Sequence, residues 1–169
     1  GLESLYDLAP ATVLIHDAAR PFVDAATIDR TLAGLNDCPA ALPAVPLGDT
    51  LKRGNDGMKV TATVERAGLW RAQTPQGFRY PDILAAHRAL AGEELTDDAA
   101  VAERAGLDVA LVMGSENNMK ITSAEDLERA RRVLAGEASE VRIGTGFDVH
   151  RFGPGGEIML CGVTVASDR

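Results

Sequence analysis

Aromatic side chains are scarce in this chain of 169 residues, at 4% with a single tryptophan. Any core must therefore be aliphatic, assembled from Ala, Val, Leu and Ile. Cysteine is nearly missing. Cys38 and Cys161 stand in separate segments without a CxxC spacing, which provides no disulfide framework and points to a reduced compartment. No apolar run is long enough for a membrane span and no basic-plus-apolar leader opens the chain. A cytoplasmic location without a membrane partner is the expectation. Positive charge is outnumbered, 17 Lys and Arg against 25 Asp and Glu, for a net charge of −8. That balance argues against nonspecific binding to nucleic acid or anionic lipid. It leaves room for a locally basic pocket that takes a phosphorylated small molecule.

What is present is typical of a globular protein. Hydrophobic residues at 46% and charged residues at 25% are ordinary proportions, and the length suffices to bury a core. Thr12-Val-Leu-Ile-His16 is apolar both ways round, as in a central strand of a covered sheet. Asp24 can cap a helix whose Ile28, Leu32 and Leu35 share one face and which ends near Gly34 and Asn36. Ala40–Val45 reads as a second strand. Gly54-Asn-Asp-Gly57 is a turn signal between Asp49–Arg53 and the alternating run Lys59–Glu65, so a hairpin arm is expected there.

Pro81 suits the first turn of a helix through Leu90. Thr96 or Asp97 caps a helix through Arg104, and Asp108–Met113 is another buried strand. Thr122 with Glu125 forms a capping box for a last helix, striped by Leu127, Ala130, Val133 and Leu134. Strands alternating with helices predict an α/β fold: a Rossmann-like, mostly parallel sheet, helices on both faces and an inserted β-hairpin arm. After a small polar linker, 136–140, residues 141–169 start the first strands of a second α/β domain.

Candidate chemistry clusters at loops. Asp17-Ala-Ala-Arg20-Pro21 follows a strand's carboxyl end, where open α/β sheets bind ligands. A carboxylate there can hold a polyol or a cation and a guanidinium can fork onto phosphate, although a local ion pair fixing a loop is an equal reading. Arg66 through Gln76 gathers a guanidinium, the indole of Trp70 and a Thr-Pro turn with two amides. Trp70 is most simply a core or interface anchor. Lys120 precedes a capped helix, either as a solvated charge or as a positive point charge at a phosphoryl-transfer centre. Asp148 and His150, two apart on a strand, face one way and can share a cation, though two ligands do not complete a zinc site. His16 and His87 read as half-buried structural histidines.

Taken in order, His16-Asp-Ala-Ala-Arg-Pro21, Asp49-Thr50-Leu-Lys52, Arg66-x-Gly-Leu-Trp70, Gln73-Thr-Pro-Gln76, Thr96-Asp-Asp-Ala99 and Met119-Lys-Ile-Thr122 resemble the 2-C-methyl-D-erythritol 4-phosphate cytidylyltransferases. The resemblance covers about residues 10–135. Arg142–Phe152 and Leu160-x-Gly-Val163 are similar to the start of the 2-C-methyl-D-erythritol 2,4-cyclodiphosphate synthases. In tandem the two resemble bifunctional enzymes of non-mevalonate isoprenoid biosynthesis.

The resemblance implies transfer of a cytidylyl group from CTP, accompanied by Mg²⁺, to methylerythritol phosphate. It implies catalytic roles for Lys120, Arg66 and Asp17, and substrate contacts from Arg20, Thr50, Thr74, Thr96 and Lys120. Thr50 and Arg66 match an arm that crosses to the partner of a homodimer. Asp148 and His150 match two ligands of a zinc or similar divalent cation in the synthase, which implies trimeric association. The family's Gly-rich CTP loop has no counterpart in the sequence given, so this stretch alone is expected to show neither activity. Two other readings stay open: a sugar-nucleotide pyrophosphorylase of similar architecture, and a non-catalytic module that dimerises through the arm.

Overall fold

The computed structural model describes residues 1–135, 157–160 and 163–166. A short 3₁₀ helix, Leu2–Leu8, leads into strand β1 (Thr12–Ile15), helix α1 (Ala25–Gly34) and strand β2 (Ala40–Pro46). Strands β3 (Leu51–Gly54) and β4 (Val60–Val64) follow, then β5 (Trp70–Ala72) and β6 (Gln76–Arg79). Helices α2 (Tyr80–Ala89) and α3 (Asp98–Arg104), strand β7 (Val109–Met113) and helix α4 (Ala124–Leu134) complete the main unit. Strands β8 (Glu157–Leu160) and β9 (Val163–Ala166) pair antiparallel as a separate hairpin.

β2 is the spine of the main sheet. β7 runs parallel along one edge of it, Ala40 opposite Val109 through Ala44 opposite Met113. β6 and β5 run antiparallel along the other edge, in line with one another and interrupted at Gln73-Thr74-Pro75. β1 closes the far side against β6. Thus β1, β2 and β7 point the same way, and β5 and β6 run against them. The parallel majority is one of strand direction, since β2–β7 is the single parallel ladder among the described residues.

Strand alternation assigns the helices to opposite faces. Ala40 and Phe78 are buried with Ile83 and Ala86 of α2 and Val101 and Ala102 of α3. Their neighbours Ala41 and Gly77 turn to α1 instead. A Cβ at Gly34 would sit 2.9 Å from the Ala41 Cβ, and one at Gly77 would sit 2.9 Å from the Thr31 Cγ2. Those two glycines let α1 approach the sheet. Burying Phe78 and Ile83 contributes about 1.5–3 kcal/mol each.

Several local expectations shift. The buried side of α1 carries Thr27, Thr31 and Leu35, whereas Leu32 is exposed. The threonines are admitted because Thr31 Oγ1 donates to the Thr27 carbonyl at 2.8 Å, satisfying a hydroxyl that burial would otherwise penalise. The last capping box is Ser123 with Asp126, one residue later than Thr122 with Glu125. The way the chain enters α4 decides this, because Asp126 Oδ2 also accepts from the Thr122 N–H and hydroxyl. Of the stripe on α4 only Ala130 is buried; Leu127, Val133 and Leu134 are exposed. Trp70 is 40% exposed at the start of β5 and anchors no core. The predicted hairpin arm is present as β3 and β4, paired in register from Leu51 opposite Val64.

Candidate functional site

Four loops meet beyond the carboxyl ends of β1 and β7. His16–Arg20 leaves β1, Gln73–Pro75 interrupts β5 and β6, Thr96–Asp97 precedes α3, and Gly114–Lys120 follows β7. Between them lies a cleft of about 320 Å³ whose walls include Asp17, Arg20, Thr74, Thr96 and Lys120. A larger, mostly apolar groove of about 740 Å³ flanks the outer side of β1, but neither Asp17 nor Lys120 reaches it. Convergent polar groups make the smaller cleft the candidate site.

Lys120 Nζ lies 2.7 Å from Asp17 Oδ2. The other carboxylate oxygen accepts the Ala19 N–H at 3.2 Å. The hydrogen bond from Lys120 and that from Ala19 hold the Asp17 carboxyl below its ordinary 3.8. Lys120 is about half exposed, so water screens the attraction. Such a pair is readily exchanged for a ligand.

Thr74 is tied to the same loop. Its Oγ1 accepts the Asp17 N–H at 2.9 Å and lies 2.9 Å from His16 Nδ1. His16 Nε2 is 3.0 Å from the Arg20 carbonyl oxygen. His16 is therefore part of the cleft wall, not a half-buried sheet residue. His87 also finds a partner, Asp98, at 2.9 Å.

Two glutamines brace the cleft from its centre. Gln73 Nε2 donates to the Ser115 carbonyl at 2.8 Å, and its Oε1 accepts the Ser115 N–H at 3.1 Å. This fixes the loop that ends in Lys120. Gln76 Oε1 accepts the buried Ala99 N–H and its Nε2 donates to Asp97 Oδ2, both at 2.8 Å. That second clamp fixes the start of α3 beside Thr96, and Asp97 rather than Thr96 is the cap, accepting from the Ala100 N–H. Asn118, wholly buried, donates to the Thr74 carbonyl at 2.7 Å. The sequence displays these amides but gives no sign of which loops they join.

Arg20 faces the cleft differently from a free phosphate fork. Nη1 donates to the Asn118 carbonyl at 2.8 Å and Nη2 to the Ala72 carbonyl at 3.3 Å. Burial lowers its pKa despite the nearby Asp17 carboxylate. The guanidinium staples the Lys120 loop to β5. Thr50 and Arg66 do not join the cleft of their own chain; Thr50 is exposed just before β3, and the Arg66 guanidinium donates to the Gly48 carbonyl at the arm's root. Asp148 and His150 lie outside the described residues. Among the described residues no three His, Cys, Asp or Glu side chains are grouped to hold a metal ion, and no helix is long and apolar enough to cross a membrane.

Comparison with known proteins agrees with this geometry. The sequence profile of IspD, 2-C-methyl-D-erythritol 4-phosphate cytidylyltransferase, matches residues 1–136. The bifunctional enzyme IspD/IspF of Rhodospirillum rubrum is 64% identical over 165 residues, 98% of this chain and 42% of its own length. That of Paramagnetospirillum magneticum is 61% identical over 166 residues, 98% of this chain and 43% of its own. The chain thus spans less than half the length of these curated relatives. A solved structure of the 2-C-methyl-D-erythritol 4-phosphate cytidylyltransferase of Thermus thermophilus is similar with a TM-score of 0.73 and 35% identity, covering 79% of this chain and 65% of that one. A profile matched over residues 1–136, on a fold shared with that solved protein, makes this chain a member of the 2-C-methyl-D-erythritol 4-phosphate cytidylyltransferase family.

Proposed function

We propose that the protein containing this chain transfers a cytidylyl group from CTP to 2-C-methyl-D-erythritol 4-phosphate. The observation that carries this reading is the meeting of Asp17 and Lys120 at 2.7 Å in one cleft with Thr74 and Thr96. A polyol phosphate needs hydrogen-bond acceptors for hydroxyls at one end and a cation for phosphate at the other. The cleft offers both.

A phosphate oxygen of methylerythritol phosphate attacks the α-phosphorus of CTP in line. A new P–O bond forms, the bond from the α-phosphorus to the bridging oxygen breaks, and pyrophosphate leaves with that electron pair. Little covalent work falls to the protein, which positions the groups and neutralises charge. Lys120 exchanges Asp17 for the substrate phosphate and the reacting phosphorus, and Asp17 then accepts from substrate hydroxyls. Mg²⁺ carried on the triphosphate needs only one or two carboxylates from a protein. Bound on the triphosphate, the ion would contribute neutralisation of phosphate charge.

Further parts of the reading concern the longer protein. Residues 1–135 belong to the cytidylyltransferase domain, without its Gly-rich CTP loop, 136–140 are a linker, and 141–169 are the start of a cyclodiphosphate synthase domain that cyclises 4-diphosphocytidyl-2-C-methyl-D-erythritol 2-phosphate with release of CMP. Asp148 and His150 supply two ligands of that domain's zinc or similar cation, within a trimeric synthase. Thr50 and Arg66 cross with the arm to a partner's cleft in a homodimer. The relatives' bifunctional names support the tandem of the two domains.

The test is turnover of CTP with methylerythritol phosphate by the full-length enzyme and its Lys120→Ala variant. A loss of about 10²–10³ in kcat is expected for the variant. Near-normal turnover removes Lys120 from the chemistry, and preferred turnover of sugar phosphates favours a sugar-nucleotide pyrophosphorylase instead.

A further inference from the structure

The hydrogen bonds around Thr74 determine which way its hydroxyl points. A carbonyl oxygen only accepts, so the 3.0 Å contact between His16 Nε2 and the Arg20 carbonyl requires a proton on Nε2. A neutral imidazole protonated there has a bare Nδ1, which only accepts. The 2.9 Å contact from Nδ1 to Thr74 Oγ1 therefore takes the threonine's hydroxyl proton. One lone pair of Oγ1 already accepts the Asp17 N–H. What remains for the cleft is a single lone pair and no proton.

We infer that His16 is a positioning residue that makes Thr74 a hydrogen-bond acceptor toward the ligand, so that this wall takes a substrate hydroxyl and turns away a phosphate oxygen. Asp17 stands beside it as a second acceptor, held ionised by Lys120 and Ala19. Two adjacent acceptors match neighbouring hydroxyls of a polyol and repel an oxyanion, which is left to Lys120. A threonine free to rotate would serve either group, because its hydroxyl both donates and accepts. The imidazole removes that ambiguity. The identity of the ligand rests on the proposed function; the direction of the hydroxyl does not.

Two measurements on the full-length enzyme test this. The first is the ¹⁵N spectrum of the imidazoles at mildly alkaline pH, where histidine is neutral, with His16 assigned by its loss in a His16→Phe variant. A pyridine-like Nδ1 and a protonated Nε2 are expected, and the signature should blur toward a tautomer mixture in Thr74→Val. A proton on Nδ1, or a spectrum indifferent to Thr74→Val, overturns the inference.

The second is kinetic. His16→Phe should raise the KM for methylerythritol phosphate about five- to tenfold, the worth of one hydrogen bond, with kcat changed far less. His16→Asn, whose amide oxygen can stand in for Nδ1, should recover most of that affinity. An unchanged KM in His16→Phe, or an equal loss in kcat with no recovery in His16→Asn, overturns the positioning role. If wild-type enzyme ignores methylerythritol phosphate while Nδ1 still shows the acceptor signature, the ligand assignment fails and the hydroxyl's direction stands.

Discussion

Gly114 leaves the space that Gln73 occupies: a Cβ at position 114 would stand 2.3 Å from Gln73 Oε1 and 3.2 Å from the Ala44 carbonyl oxygen. The backbone there has no left-handed conformation to explain the glycine, so the close approach of the amide is the reason. Gly114→Ala should displace Gln73 and with it the Ser115 bonds that fix the Lys120 loop. Overpacking of this kind costs about 1–3 kcal/mol. A fall in Tm of several degrees is expected, with a lower kcat in the same variant. Gly48→Ala is the control, since nothing lies within 4 Å of its Cβ position; equal Tm in the two variants would remove the packing argument.

The Asp17–Lys120 pair makes a prediction about titration. Asp17 has a depressed folded pKa, so its contribution to stability is present above the ordinary 3.8 and is lost as pH falls through the lowered value. Lys120→Ala removes the largest cause of that depression. The Asp17 carboxyl, followed by ¹³C NMR, should then titrate closer to 3.8, and the variant should lose less stability than wild type on acidification across that window. An unmoved Asp17 midpoint would mean that Lys120 is turned to solvent instead.

Much of this arrangement was legible in the sequence because local rules produce it. The apolar run of β1, the Asp24 cap and the turn at Gly54–Gly57 are each written in a few neighbouring residues. The motif loops after β1 and β7 and before α3 fall where such elements end. Long-range polar partners were not legible. Nothing local says that Gln73 holds Ser115 or that Gln76 holds Ala99. The buried face of α1 departs from the expected apolar stripe for a related reason. Thr27 and Thr31 look polar, yet one hydroxyl is satisfied within the helix and the close approach at Gly34 and Gly77 admits only small side chains.

Asp126 is the carboxyl that its surroundings shift furthest among the described residues. Hydrogen bonds from the Thr122 backbone and the Ser123 hydroxyl, joined by the Thr122 hydroxyl and the Ser123 backbone, lower its pKa from 3.8 to about 2. The cap of α4 should therefore hold in full above 3.8 and weaken only as pH falls toward about 2. Ser123→Ala removes one of the supports and costs about 1 kcal/mol of helix stability. Carboxyl ¹³C titration checks the midpoint; a value near the ordinary carboxylate range in wild type would show that the reciprocal cap of Ser123 and Asp126 does not form in solution.

The arm is the last element that needs an explanation outside its own chain. Among the described residues β3 and β4 pair only with each other, and a lone two-stranded ribbon is marginal in water. Met58 is 95% and Val60 66% exposed, apolar surface that a second copy would cover. If the proposed homodimer forms through the arm, removing Arg53–Lys59 from the full-length protein should give a smaller assembly in sedimentation velocity. Emission from Trp70, isolated by difference against a Trp70→Phe variant, should shift to the red if the partner also shields β5. Activity should fall with the assembly, because Thr50 and Arg66 stand outside their own cleft and act, in this reading, only across the dimer. An unchanged mass together with unchanged turnover would leave the arm without a role in either.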